Sequence, residues 1–119
     1  MTDQEQYELH LLLAEYYAKE KGWKIFVDQN SYFTAIKYKV PPDYQGETTY
    51  VPAHKLTDLN WLFELLDMLN IQYVIIDPTA EGTWACGISV AGRDWFKAIA
   101  ITRELALAIC LGKIIKEKK

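Results

Sequence analysis

Apolar residues recur with the period of an amphipathic helix in three segments of the chain. These segments are residues 3–21, residues 58–69 and a last stretch that begins after a Thr102 cap and runs to about residue 116. The last predicted helix contains the uncharged run LALAICL at residues 105–111. A helix that is apolar around most of its circumference is buried on more than one side. We therefore expect it to lie across a sheet and to contact a helix or a second subunit.

Small and polar residues mark the ends of these helices. Thr2 or Asp3 can cap the first helix and Thr57 the second, because their side-chain oxygens accept hydrogen bonds from free backbone N–H groups. Gly22 follows the first helix and readily adopts the left-handed conformation that ends a helix. Each end signal agrees with the apolar pattern next to it.

Segments rich in β-branched and aromatic residues predict the strands. They are residues 23–28, 32–39, 71–77 and 83–91, with 95–100 as a further strand or an extended lead-in. The polar tetrapeptide DQNS separates the first two and predicts a β-hairpin. Residues 40–56 hold three of the four prolines and predict the longest loop, which is the first place to look for a binding surface.

The order of these elements predicts an α+β fold. We expect a mostly antiparallel sheet of four to five strands, because short turns join the strands, covered by three helices in the order α-β-β-α-β-β-α. This layered sandwich would form a single domain over residues 1–119. In the strand at 83–91, one face carries only Ala85, Gly87 and Ser89. Such small side chains predict that another element approaches this face closely.

Composition narrows the classes of function. Half of the residues are hydrophobic, with eight tyrosines and four tryptophans, and aromatic side chains of this kind are enriched at interfaces. The net charge of −3 makes nucleic acid an unlikely partner, since nucleic-acid binders usually carry a basic stripe. The acidic, polar start does not resemble a signal peptide, and no apolar run is long enough to span a bilayer. We expect a cytoplasmic protein without a membrane partner.

Candidate chemistry is sparse along the chain. Cys86 and Cys110 lack CxxC spacing, which argues for two buried thiols and against a metal site, and we expect no cofactor. His54 in the long loop, together with Asp58, is the best catalytic pair and would suit a small hydrolase. Asp58 also has a complete explanation as a residue of a helix start. We expect no enzyme.

Two tryptophans and several basic residues lie close together near the C-terminal third of the chain. The candidate ligand-binding residues are Trp84, Arg93, Trp95, Lys97 and Arg103. Planar aromatic rings next to cationic side chains can stack on a base and hold a phosphate. The alternative is that the tryptophans belong to the core and that the basic residues are solvated.

Several short features occur in one order along most of the chain. They are Gly22-Trp23, Pro52, Thr57-Asp58-Leu59-Asn60, Trp84, Ala98-Ile99-Ala100, and Thr102 followed by LALAIC at residues 105–110. In this order they resemble the phage ABA sandwich family of small phage and prophage proteins. The resemblance implies a layered α/β/α domain and carries no established activity.

These observations favour a non-catalytic binding protein. We expect a homo-oligomer that associates through its apolar third helix or an aromatic sheet face, and that captures a small anionic ligand or nucleotide. By analogy with small phage proteins, the role would be counter-defence, through sequestration of a nucleotide signal in an infected bacterial host. The alternatives are the hydrolase that uses His54 and Asp58, an accessory protein that binds a host protein, and a structural component of the virion.

Overall fold

A computed structural model describes residues 1–29, 34–42, 46–71, 73–90 and 95–118. Within these residues the chain is α+β, with three helices and six strands. The elements are α1 (Asp3–Lys21), β1 (Lys24–Gln29), β2 (Thr34–Val40), β3 (Thr49–Pro52), α2 (Leu59–Met68), β4 (Tyr73–Pro78), β5 (Trp84–Ser89), β6 (Trp95–Ala100) and α3 (Arg103–Lys118).

The predicted first helix is confirmed from end to end. Thr2 is its cap, since the Thr2 hydroxyl accepts from the Glu5 amide at 3.1 Å and the Glu5 carboxylate accepts from the Thr2 amide at 3.0 Å. This reciprocal pair satisfies two backbone donors that a helix start leaves free. Gly22 ends the helix with a φ of 76°, a left-handed conformation that favours glycine.

The first three strands form one antiparallel sheet in the order β1-β2-β3. The predicted hairpin is confirmed by the pairing of β1 with β2, in which Lys24 lies opposite Lys39 and Val27 opposite Ile36. Helix α1 packs against β1 and β2. The buried apolar residues of this part of the chain are Leu13, Ala14, Tyr17, Ala18, Ile36 and Tyr38.

The prediction that residues 40–56 form one long loop is wrong at Thr49–Pro52. These residues form β3, which pairs with β2 so that Tyr38 lies opposite Val51. Their β-branched and aromatic side chains suit a strand. Pro52 is tolerated because it ends an edge strand, where its missing N–H costs little.

The remaining elements form a second sheet in the order β4-β5-β6, with α3 packed against all three strands. Helix α3 also contacts α2, which confirms the sheet and helix expected around the apolar last helix. Thr102 caps α3 as predicted, with its hydroxyl accepting from the Leu105 amide at 3.1 Å. The cap of α2 is Asp58 and not Thr57, because the Asp58 carboxylate accepts from the Trp61 amide at 3.2 Å.

The prediction of one sheet of four to five strands differs from the structure, which has two sheets of three strands each. Each sheet is a meander with short connections, and a strand pairs most readily with its neighbour in sequence. The contacts divide the chain into two compact units, Met1–His54 and Lys55–Lys119. The single domain over residues 1–119 stays a prediction.

Helix α3 uses its apolar side chains inside the second unit. Its buried residues are Ala106, Leu107, Ala108, Cys110, Leu111, Gly112, Ile114 and Ile115. Association of copies through this helix therefore has no exposed apolar stripe to use. Within the described part of the chain, no helix has the length and apolar character needed to cross a membrane.

Candidate functional site

The face of the second sheet that points away from α3 carries exposed side chains, among them Tyr73, Trp95 and Lys97. Cys86, Ile88 and Ala98 are buried on the α3 side, so their neighbours in the strands point to the other side. Cross-strand pairing arranges this outer face in three rows. The rows are Tyr73–Ser89–Trp95, Ile75–Gly87–Lys97 and Asp77–Ala85–Ile99.

The central strand β5 contributes only small side chains to the outer face, and the strands on either side contribute large ones. The result is a concave site of about 400 Å³, here called the outer trough. The residues that line it are Ile75, Asp77, Ala85, Cys86, Gly87, Trp95, Lys97, Ala98 and Ile99. The small residues of β5 predicted a close approach by another element. In the structure they instead leave room for the Trp95 side chain and for the outer trough.

Trp95 is the largest side chain of the outer trough. Its ring contacts the Tyr73 ring edge to face, with the centroids 5.8 Å apart and the planes at 80°. It also lies over Gly87, where an added Cβ atom would be 3.3 Å from Cε3 of Trp95. The side chain is still 43% exposed, so part of the indole is available to a ligand. Two contacts thus hold the ring in place before any ligand arrives.

Charged groups flank this apolar surface. Lys97 lies in the middle row and Asp77 in the last row, and both residues are exposed. The backbone of Lys97 is fixed from the other side of the sheet, where Nζ of Lys113 donates to its carbonyl oxygen at 2.6 Å. The outer trough therefore combines an aromatic ring, one ammonium group and one carboxylate.

The structure brings together two of the five candidate ligand-binding residues, Trp95 and Lys97. Trp84 lies on the opposite face of β5, in register with Ala100 and on the same side as the buried Cys86. The prediction that Trp84 and Trp95 form one cluster is therefore wrong. Alternation along a strand sends residues of opposite parity to opposite faces.

Arg103 lies in the first turn of α3, and it does not line the outer trough. Its Nε donates to Oε1 of Glu104 at 3.0 Å. A backbone hydrogen bond, and then this hydrogen bond from Arg103, lower the pKa of the Glu104 carboxyl below its ordinary value. The fifth candidate, Arg93, lies outside the described residues.

Sequence reasoning missed the two residues that β4 adds to the outer trough, Ile75 and Asp77. Their alternation in YVIID places them on one face of a strand. Nothing in the sequence states which strand β4 pairs with or in which register. The sequence therefore indicates that these residues share one face of β4, but not which strand lies beside them.

The residues of the hydrolase hypothesis have other roles in the structure. In the first unit, Nδ1 of His54 is hydrogen-bonded to the Tyr38 hydroxyl at 3.0 Å, and the His54 ring lies 5.2 Å from the Tyr17 ring. The His54 carbonyl accepts from Nε2 of His10 at 2.5 Å. In the second unit, Asp58 caps α2. A catalytic role for His54 and Asp58 stays a prediction.

His10 and His54 are joined by the fold although they lie far apart in sequence. Burial lowers the pKa of His10, and the hydrogen bond to the His54 carbonyl opposes this effect only in part. Burial disfavours the charged imidazolium because it removes water from the charge. His10 therefore stays neutral to lower pH than a solvated histidine.

The two cysteines are buried and free. The Cys110 thiol donates to the Cys86 carbonyl at 3.4 Å and so links α3 to β5. A hydrogen bond with Cys110, together with burial, raises the pKa of the Cys86 thiol far above its ordinary value. Among the residues that the structure describes, no cluster of three or more His, Cys, Asp or Glu side chains could hold a metal ion.

Comparison of the chain with protein-family models, curated proteins and solved structures finds no match.

Proposed function

We propose that the chain is a non-catalytic binding protein whose outer trough takes a planar anionic ligand of the nucleotide class. The observation that carries this proposal is that Trp95 and Lys97, both exposed, line one concavity. A nucleobase would stack on the indole, and a phosphate would lie against the ammonium group. The size supports a small ligand, since ligand sites are typically about 300–1,000 Å³.

The charges of the outer trough favour a ligand with few phosphates. Lys97 is the single cation of the site among the described residues, and the Asp77 carboxylate lines the same concavity. Each further phosphate would add repulsion from Asp77 without gaining a second cation. A carboxylate also accepts hydrogen bonds from the amino groups of a base. We therefore expect nucleoside monophosphates and cyclic nucleotides to bind more tightly than triphosphates.

The resemblance to the phage ABA sandwich family suggests a biological setting for this proposal. The chain would act in the cytoplasm of an infected bacterium and sequester a nucleotide signal of host defence. Sequestration needs only a site that binds the signal, and the outer trough supports this role because it is a concavity of a size suited to a small ligand. The activity would then be counter-defence by capture and not by hydrolysis.

The test is a titration of the whole chain with nucleotides, measured by calorimetry and by thermal shift. The ligands are adenosine and guanosine monophosphates, cyclic mononucleotides and dinucleotides, and ATP. We expect binding by a monophosphate or cyclic ligand. Trp95→Leu and Lys97→Gln should each weaken it about tenfold, the loss expected for one stacking or ionic contact. Lys116→Gln is the matched control, since it removes one exposed lysine from α3. Absence of binding by every ligand at about 1 mM would reject the proposal.

A second candidate function is self-association through the same face. Three apolar side chains on or next to it are highly exposed, namely Tyr73 at 60%, Ile99 at 68% and Ile101 at 73%. Exposed apolar surface of this kind is typical of protein interfaces. A second copy on this face would cover the outer trough and compete with a ligand.

Light scattering after size exclusion separates the two candidates. If the face is an interface between copies, the chain is dimeric without ligand, and Ile99→Lys makes it monomeric. If the face is a ligand site, the chain is monomeric and Ile99→Lys leaves the mass unchanged. A dimer that Ile99→Lys does not affect would place the interface elsewhere on the chain.

A further inference from the structure

The first sheet has an outer face of its own, on the side opposite α1. Ile36 and Tyr38 are buried on the α1 side, so the alternate positions point outward. The outward residues lie in rows that read Lys24–Lys39–Tyr50, Phe26–Lys37–Pro52 and Asp28–Ala35. We call this surface the basic face, since three of its side chains are lysines.

Two of these lysines oppose each other directly. Lys24 and Lys39 are cross-strand partners, and neither forms an ion pair with any residue that the structure describes. Like charges opposite each other in a sheet are destabilising. The third lysine, Lys37, is paired with Asp28 at 3.2 Å. The basic face therefore carries two positive charges that an anion would neutralise.

Two aromatic rings accompany these charges. Phe26 and Tyr50 meet edge to face, with their centroids 5.2 Å apart and their planes at 61°. Both rings remain accessible, at 42% and 49% exposure. Since Tyr50 is the cross-strand partner of Lys39, the two residues are neighbours on the same face of the sheet. Exposed rings next to cations on a sheet are the elements from which surfaces for single-stranded nucleic acid are built.

We infer that the basic face binds single-stranded nucleic acid, with bases stacked on Phe26 and Tyr50 and phosphates held by Lys24 and Lys39. The exposed aromatic rings favour single-stranded nucleic acid over other polyanions. An acidic peptide would use the lysines and leave the exposed rings without a role, whereas unpaired bases use both. A duplex hides its base faces and would gain nothing from the rings. The basic face shares no residue with the outer trough, and the net charge of −3 of the whole chain does not indicate it.

The test is fluorescence anisotropy of a labelled twelve-residue oligo(dT) or oligo(U) with the whole chain, at several low salt concentrations. We expect affinity to fall with salt with a log–log slope of about −1.4, since two lysines each displace counterions from a single strand at about −0.7 per phosphate. Lys24→Gln and Lys39→Gln should each reduce the slope by about 0.7. Phe26→Ala should weaken binding about tenfold with little change in the slope.

Control variants distinguish the basic face from the remaining lysines and from a loss of folding. Lys116→Gln should leave oligonucleotide binding unchanged, because Lys116 lies on α3 and not on the basic face. Lys24→Gln should not lower the unfolding temperature, since it relieves a like-charge pair and leaves the fold intact. No binding at low salt would overturn the inference. Binding that Phe26→Ala does not weaken, or that poly-glutamate competes away as well as oligo(U) does, would also overturn it.

Discussion

The indole of Trp95 lies over the backbone of Gly87, its diagonal neighbour across β5 and β6. A Cβ atom at Gly87 would lie 3.3 Å from Cε3 of Trp95, a distance at which the ring must move by a few tenths of an ångström. The residue at position 87 therefore sets both the depth of the outer trough and the position of its main aromatic ring. A strand glycine where another group approaches closely is a common use of this residue.

Replacement of Gly87 tests this relationship. Gly87→Val suits the strand backbone but places two methyl groups under the indole, so we expect a stability loss of about 1–3 kcal/mol, as in other overpacked sites. It should also fill the floor of the outer trough and abolish nucleotide binding. Urea unfolding measures the loss of stability, and calorimetric titration with the nucleotide measures the loss of binding. In a Trp95→Leu background most of the stability loss should disappear, and an undiminished loss would contradict the contact.

The burial of α3 predicts a strong contrast between two isoleucines. Ile115 is 1% exposed and Ile101 is 73% exposed. Ile115→Ala should cost about 2–5 kcal/mol of unfolding free energy, since it removes buried methyl groups and leaves a cavity. Ile101→Ala removes the same atoms from the surface and should change stability by less than about 0.5 kcal/mol. Equal losses in urea unfolding would mean that α3 does not pack as described.

The helices could be predicted from the sequence because their signals are local. Thr2, Gly22 and Thr102 act at the ends of the helices whose apolar stripes they border. Such capping interactions involve residues three or four positions apart, so a short window contains the whole cause. The cap of α2 was misassigned by one residue because Thr57 and Asp58 are both good caps, and the structure uses the aspartate.

Strand pairing and the candidate site could be predicted only in part. The parity of WFKAIA places Trp95 and Lys97 on one face of β6, and they do line one site. The alternation in WACGIS places Trp84 on the same face of the strand as Cys86. The candidate ligand-binding residues group Trp84 with Trp95 because the two lie close in sequence, although they lie on opposite faces of the sheet. Register between strands depends on contacts between distant residues, which no local pattern contains.

Two substitutions of Asp58 test its role as the cap of α2. Its carboxylate accepts from the Trp61 amide at 3.2 Å, which an asparagine side chain can also do. We expect Asp58→Ala to lower the free energy of unfolding by about 1 kcal/mol and Asp58→Asn to change it by a few tenths. Thermal unfolding of the two variants measures the difference. If both lost the same stability, the hydrogen bond would not be what Asp58 contributes.

The thiols of Cys86 and Cys110 should be inert in the folded chain. They are 2% and 0% exposed, so a reagent reaches neither sulfur atom in the folded chain. The raised pKa of Cys86 also keeps its thiol protonated, whereas the hydrogen bond with Cys86 lowers the pKa of Cys110, whose protection comes from burial alone. Thiolates, and not thiols, react with disulfide reagents, so labelling of the native protein at about pH 8 should be negligible. Full labelling of both thiols should follow in denaturant. Lys116→Cys, which places a thiol on the exposed side of α3, is the positive control and should react at once.

His10 makes stability depend on pH in a defined direction. Burial holds its pKa below the value of about 6.5 that it has in the unfolded chain. Between these two pKa values the unfolded chain binds the proton and the folded chain does not. The contribution of His10 to stability is therefore fully present above about pH 6.5 and is lost as pH falls through the lower, folded value.

His10→Gln keeps a donor for the His54 carbonyl but cannot titrate. The unfolding free energy of this variant should therefore fall less than that of the unsubstituted chain between about pH 7 and pH 5. Urea unfolding at several pH values gives the difference curve, from which carboxylates common to both proteins cancel. Parallel curves for the two proteins would mean that the His10 imidazole is not desolvated in the fold.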